Sequence, residues 1–313
     1  MNYITINPNY NKAINYATII DLLGFSHKAL TDKRESLKKY YKDGQSIIGE
    51  IDFLEDLLKI NKRQIKTTFD KVKNIFESIQ FDYNIISYYD DSYPILLRQT
   101  KKPPLFLFSQ GDISLLSLPC ISIVGARQAS EKGKILAFKL AAILKNQAYI
   151  VASGLARGID TAAHTGTIRS GGKTIAVIGT SLNKQYPSEN KQLQEIIAEN
   201  HLLISQFPFN HPITKANFPT RNYTMSGICL ATIIVEAGET SGSLIQARHC
   251  FSQKRKLFIL KHLLEREDLE WPKKYVKLGA IVIKEIDEIN AWLKELRILH
   301  QNITSNKQQE FFK

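Results

Sequence analysis

Apolar positions along the chain follow two periods, and the change falls near residue 83. Before it they recur at helical spacing: Ile14, Ala17, Ile20 and Leu23 in one stretch, Phe53, Leu54, Leu57 and Leu58 in another. Gly24, Gly44 and Gly49 punctuate these stretches. The pattern predicts a small helical N-terminal domain over residues 1–82. From 83 to 286, short apolar runs alternate with amphipathic stretches. Runs at 121–124, 149–152, 174–178, 202–205, 231–237, 256–260 and 277–283 have strand length. Strands alternating with helices predict an α/β domain, an open doubly wound, mostly parallel sheet. Residues 287–313 complete the chain as a C-terminal helix (286–299) and a polar tail expected to fray.

Residues 121–160 form a βαβ unit. Ser130 is placed to cap its helix, whose apolar face reads as Ile135, Phe138, Leu140, Ile143 and Leu144. Both strands end in glycine turns, Gly125-Ala126-Arg127 and Ser153-Gly154-Leu155-Ala156-Arg157-Gly158. Open parallel sheets bind ligands at such carboxyl ends. Backbone without Cβ atoms, a helix start and an arginine together suit a phosphate. Gly125, Arg127, Ser153, Gly154, Ala156 and Arg157 are therefore candidate contacts. A third turn, Ser241-Gly242-Ser243, opens a later helix and predicts another anion cradle. The proline-rich loop at 207–219 leads into Phe218-Pro219-Thr220-Arg221-Asn222. An aromatic face beside a guanidinium suits a single strand, whose bases stack and whose phosphates pair with arginine. Phe218 is expected to stack, with Arg221 and Asn222 completing the strand path.

Punctuation elsewhere predicts smaller features. Pro103-Pro104 blocks a helix and leads into an expected edge strand. Pro187 is expected near the first turn of a helix running to Ile197. Trp271-Pro272 leads into the last strand. His164 has no ligand-type neighbour in sequence and reads as a hydrogen-bonded structural histidine.

Composition adds a partner class. The 313 residues are 43% hydrophobic and 23% charged, as in globular proteins. There is no apolar run of membrane-spanning length and no secretory signal at Met1-Asn2-Tyr3. Cys120, Cys229 and Cys250 fit no metal spacing and are expected as free thiols in a reducing cytosol. Net charge is +12. Residues 1–83 carry 13 basic and 11 acidic side chains, so the remainder, with 29 and 19, holds +10 of the excess. A polyanion partner fits, although a basic proteome would give the same excess.

Several of these segments resemble the DprA/Smf family of Rossmann-like DNA-processing proteins. The resemblance rests on Ser122-Ile123-Val124-Gly125-Ala126-Arg127, on the run from Ser153 to Asp160 with Ala163-His164, on Tyr186-Pro187 with Asn190, on Phe218-Pro219 with Arg221-Asn222, and on Glu236-Ala237 with Ser241-Gly242-Ser243. It implies a protein that binds single-stranded DNA, protects it, and loads the RecA recombinase in recombination or natural transformation. It also implies a homodimer. Gln206 departs from the glutamate usual in the family, and residues 261–272 depart from its Pro-Gly turn. The 30 residues after the last strand are too few for the winged-helix domain of some relatives.

No paired metal carboxylates, Walker A motif or nucleophile elbow is present, so no catalysis, cofactor or metal is expected. A second reading is a nucleotide sensor or a LOG-type nucleotide phosphoribohydrolase on a similar sheet. Those enzymes use a glutamate within a glycine-rich motif near 237–244, which this chain lacks.

Overall fold

The computed structural model describes residues 7–311. Five helices come first: α1 Tyr10–Leu22, α2 His27–Asp32, α3 Arg34–Lys42, α4 Ile51–Leu58 and α5 Lys62–Glu77. Side-chain oxygens begin two of them. Ser26 Oγ accepts from the Ala29 N–H before α2, and Asn61 Oδ1 from the Gln64 N–H before α5. Helix α1 buries an unbroken run from Ala13 to Ile20, because neighbouring helices cover one side and the sheet the other.

The rest of the chain alternates as its pattern predicts. In order it forms β1 Asn84–Ser87, α6 Ile95–Arg98, β2 Phe106–Gly111, β3 Cys120–Gly125, α7 Glu131–Asn146, β4 Ile150–Ser153, α8 Ile159–Arg169 and β5 Thr174–Val177. Then come α9 Lys191–Asn200, β6 Leu202–Ser205, α10 Asn217–Ile228, β7 Ala231–Glu236, α11 Ser243–Ser252, β8 Lys256–Leu260, α12 Trp271–Lys277, β9 Ile281–Ile283 and α13 Ile289–Phe311. Among the described residues, nine strands lie in the order β1-β2-β6-β5-β4-β3-β7-β8-β9. All neighbours from β6 to β9 are parallel, whereas β1–β2 and β2–β6 are antiparallel. Strand order reverses at β3. The chain winds outward from β3 to β6 and then returns through α10 to β7, on the other side of β3. That makes the β3/β7 boundary the switch point where such sheets open a crevice.

Alternation along each strand divides the core between two faces. Ile121, Ile123 and Val151 pack with α7, α8 and α13. Cys120, Val124, Ile150 and Ala152 pack on the opposite face with α10, α11 and α12. At the β1–β2 end the N-terminal helices share one core with Phe106, Phe108 and Leu203. Phe209 fastens this junction, its ring 4.8 Å from Tyr83, 5.0 Å from Phe76 and 5.7 Å from Phe108.

Five local expectations are corrected. The strand after Pro103-Pro104 is not at the edge, because β1 pairs outside β2. Ile135 is 54% exposed, and α7 instead buries Ala137, Leu140, Ala141 and Leu144. Gly166 lets α8 lie close to α7, since a Cβ there would meet the Phe138 backbone at 2.8 Å. Pro187 follows a cis peptide and precedes a short 3-10 turn, so the helix proper starts at Lys191. Residues 271–277, next to the final strand, are helical as α12, and α13 extends beyond 299. Met1, Asn2 and Tyr3 lie outside the described residues.

Candidate nucleic-acid interface

A cleft of about 700 Å³ opens at the β3/β7 boundary. Its walls are the turns after β3, β4 and β7 together with the first turns of α10. All the expected site residues except Ser153 line this cleft or the small recess beside it. Ser153 is corrected: it is fully buried and its hydroxyl donates to the Ile123 carbonyl at 2.7 Å, out of reach of a ligand.

The first two turns are interlocked. A Cβ on Gly125 would meet Ile159 at 2.5 Å, and one on Gly158 would meet the Ala126 carbonyl at 2.3 Å. Gly158 also has φ +76, which favours glycine. The Asp160 carboxylate accepts from the N–H groups of Gly154 (3.1 Å) and Ala156 (3.3 Å). Burial raises the Asp160 pKa, while Arg221 and these hydrogen bonds oppose that shift. Leu155 is held at φ +57, and Asn190 Nδ2 donates to its carbonyl at 2.9 Å. Two turn N–H groups are therefore already bonded within the protein. The glycines answer first to turn-on-turn packing.

Arg221 lies on the cleft floor. Its Nη1 donates to the carbonyls of Gly154 and Val177 (2.6 Å to the latter), at the ends of β4 and β5. The guanidinium occupies the space a Cβ on Gly154 would need. Burial lowers its pKa to about 10, with Asp160 opposing, so it stays charged at neutral pH. Asn222 Nδ2 donates to the Gly242 carbonyl at 3.3 Å and ties α10 to the third turn.

The accessible cations are Arg127 and Arg157. Arg127 is exposed and forms no ion pair among the described residues, and its guanidinium lies 5.4 Å from the centre of the Phe218 ring. Arg157 pairs with Glu189 at 3.1 Å, with both side chains mostly exposed. Phe218 is half-buried and rests on Gly179, where a Cβ would meet its ring at 2.9 Å. Tyr186 packs 5.3 Å from Phe218 and is 42% exposed. The freer aromatic face is therefore that of Tyr186, which sequence reasoning assigned to a helix start. An aromatic residue before proline, spaced from Asn190, was the available signal.

The third turn is open. A Cβ on Gly238 or Gly242 would meet nothing within 4 Å, so neither glycine is required by packing. The Ser241 and Ser243 hydroxyls lie 2.7 Å apart. Ser243 is buried and Ser241 half-buried, and neither hydroxyl bonds to a histidine among the described residues.

A profile of the DNA recombination-mediator protein A family matches residues 84–294 of the chain. The chain belongs to this family. DNA processing protein DprA of Streptococcus pneumoniae is 38% identical over 209 residues, covering 66% of this chain and 70% of that protein. DprA of Bacillus subtilis is 33% identical over 239 residues, covering 76% and 80%. The solved Streptococcus pneumoniae DprA superposes with a TM-score of 0.69 at 28% identity, covering 92% of this chain and 98% of that one. A Helicobacter pylori DprA, solved for its single-stranded DNA binding mode, gives 0.60 at 29% identity, covering 69% and 98%.

Against the DprA pattern, Gln206 retains an acceptor. Its Oε1 takes a hydrogen bond from the Thr224 hydroxyl, as a carboxylate would. The divergent segment after β8 leads into α12, whose start is held by Glu239. That carboxylate accepts from the N–H groups of Glu270 and Trp271, at 3.2 Å for the latter. His164 is buried, with Nδ1 2.7 Å from the Thr174 hydroxyl. The Cys120 and Cys229 sulfurs come within 3.6 Å as free thiols. Among the described residues no cluster of His, Cys, Asp or Glu could hold a metal ion, and no helix is long and apolar enough to cross a membrane.

Proposed function

We propose that this DprA-family chain is a non-enzymatic mediator that binds single-stranded DNA in the β3/β7 cleft. The observation that carries the reading is the layered group Arg127–Phe218–Tyr186 at the cleft mouth. It sets an unpaired guanidinium beside an exposed aromatic face, the pairing a single strand requires. Phosphates would meet Arg127, Arg157 and the open Ser241–Gly242 turn. Arg221, Asn222 and Gly154 would shape the path from beneath, Gly125 and Ala156 would let the strand approach closely, and Tyr186 would stack a base with Phe218 behind it. The Helicobacter pylori relative's single-strand binding mode supports the assignment.

Membership of the family supports a role in protecting the strand and delivering it to RecA, in recombination or transformation, and it favours a homodimeric assembly and a cytoplasmic setting. Hydrolysis is disfavoured by the carboxylates at the end of β7 and just after it. Glu236 accepts from the Ser130 hydroxyl at 2.7 Å, and Glu239 accepts from backbone N–H groups, so both are engaged structurally.

Parallel titrations with a thymidine oligonucleotide, a duplex and mononucleotides at several salt concentrations test this reading. Tighter binding to the single strand is expected, weakening steeply with salt. Equal affinity for duplex, or base release from a nucleoside monophosphate, would reject it.

A further inference from the structure

Beside the cleft, the outer side of the α7–α8 pair holds a second concavity of about 710 Å³. Ile135, Phe138 and Ala162 are among its apolar lining residues. Gly166 lets the two helices meet closely there, since a Cβ would lie 2.8 Å from the Phe138 backbone. Lys134, Lys139 and Arg157 also line it and supply its cations. Two of its polar side chains, Thr161 and Asn190, are already engaged. Thr161 donates to the Ala156 carbonyl, and Asn190 donates to the Leu155 carbonyl and to Thr161. Such a groove accepts apolar side chains and leaves little for the edge of a base to bond.

We propose that this groove docks an acidic peptide segment of a partner protein. One or two large apolar side chains would sit against Ile135 and Phe138, with carboxylates on Lys134 and Lys139. Charge selects the occupant. Lys139 has no ion pair among the described residues. Lys134 pairs with Glu131 at 2.6 Å, both side chains exposed. A pair of that kind contributes about 0–1 kcal/mol, so an incoming carboxylate exchanges with it readily. A nucleic acid would satisfy the same cations but would gain only one aromatic ring, Phe138, for stacking. Arg157 lines both the groove and the cleft, which places the docked partner directly beside the strand's path.

Fluorescence polarisation of the 313-residue chain tests this, using a labelled peptide of about ten residues that alternates aspartate with serine and ends in Leu-Phe. Saturable binding is expected, and it should be lost when the aspartates become asparagine or the last two residues become serine. Ile135→Glu and Lys139→Glu should each weaken the peptide by about tenfold or more. Both variants should keep their circular dichroism spectrum and bind a thymidine oligonucleotide within about twofold of the parent. Absence of saturable peptide binding, or parental affinity in both variants, would overturn the proposal. So would a loss of oligonucleotide affinity in Ile135→Glu, since the groove would then carry DNA. The peptide readout uses no nucleic acid, so it fails separately from the strand-binding reading.

Discussion

Within the cleft, side chains of similar chemistry have different duties, and burial separates them. Arg127 is exposed and unpaired, whereas Arg221 is 5% exposed and bonded to two strand-end carbonyls. Arg127→Ala should leave stability unchanged and reduce the slope of log affinity against log salt by about 0.7. Arg221→Ala should instead lower unfolding free energy by about 3 kcal/mol or more, because buried carbonyls lose a charged donor. Urea denaturation beside salt-dependent titration distinguishes the two, and parental stability in Arg221→Ala would refute the strut. The aromatic pair divides in the same way. Tyr186→Ala should weaken oligonucleotide binding by about 1–3 kcal/mol with little change in melting temperature. Phe218→Ala should lower the melting temperature, since its ring packs on Gly179. Unchanged affinity in Tyr186→Ala would move the stacking platform elsewhere. Residue types and spacing singled out the three glycine turns, Arg127, Arg157, Phe218 and Arg221 in advance, but not Asp160 or Tyr186. Which of them are buried was not legible, because carbonyls from two distant strands decide the fate of Arg221.

At the level of elements, α8 is tied to β5 through His164 and Thr174. Burial pushes the His164 pKa down to about 3, so the fold favours the neutral ring. A depressed pKa means that this contribution is complete above the unfolded value of about 6.5 and is lost as pH falls toward 3. Between about pH 6 and 4 the parent should therefore lose up to about 1.4 kcal/mol more per pH unit than His164→Asn. Denaturation curves across that range check the slope, and parallel lines for the two proteins would show that the ring is already protonated. The parallel strands were easy to read because burial on both faces makes them continuous apolar runs. Strand β1 was missed because its run has only two apolar residues, Ile85 and Ile86, beside tyrosines. The exposure of Ile135 was also missed, since helical spacing alone does not reveal which side of α7 the close approach of α8 at Gly166 covers.

For the whole molecule, the N-terminal helices and the sheet share buried aromatic surface around Phe209. Calorimetry should therefore record a single cooperative unfolding transition, and two well-separated transitions would contradict the shared core. The pinned floor of the cleft has a further consequence. Arg221 joins α10 to the ends of β4 and β5, and Asp160 and Asn190 fix the turn between them. The protein then has little left to order when a strand arrives, and the reorganisation falls on the DNA. A flexible, weakly stacked run of thymidines should bind more tightly than adenines, which must first unstack.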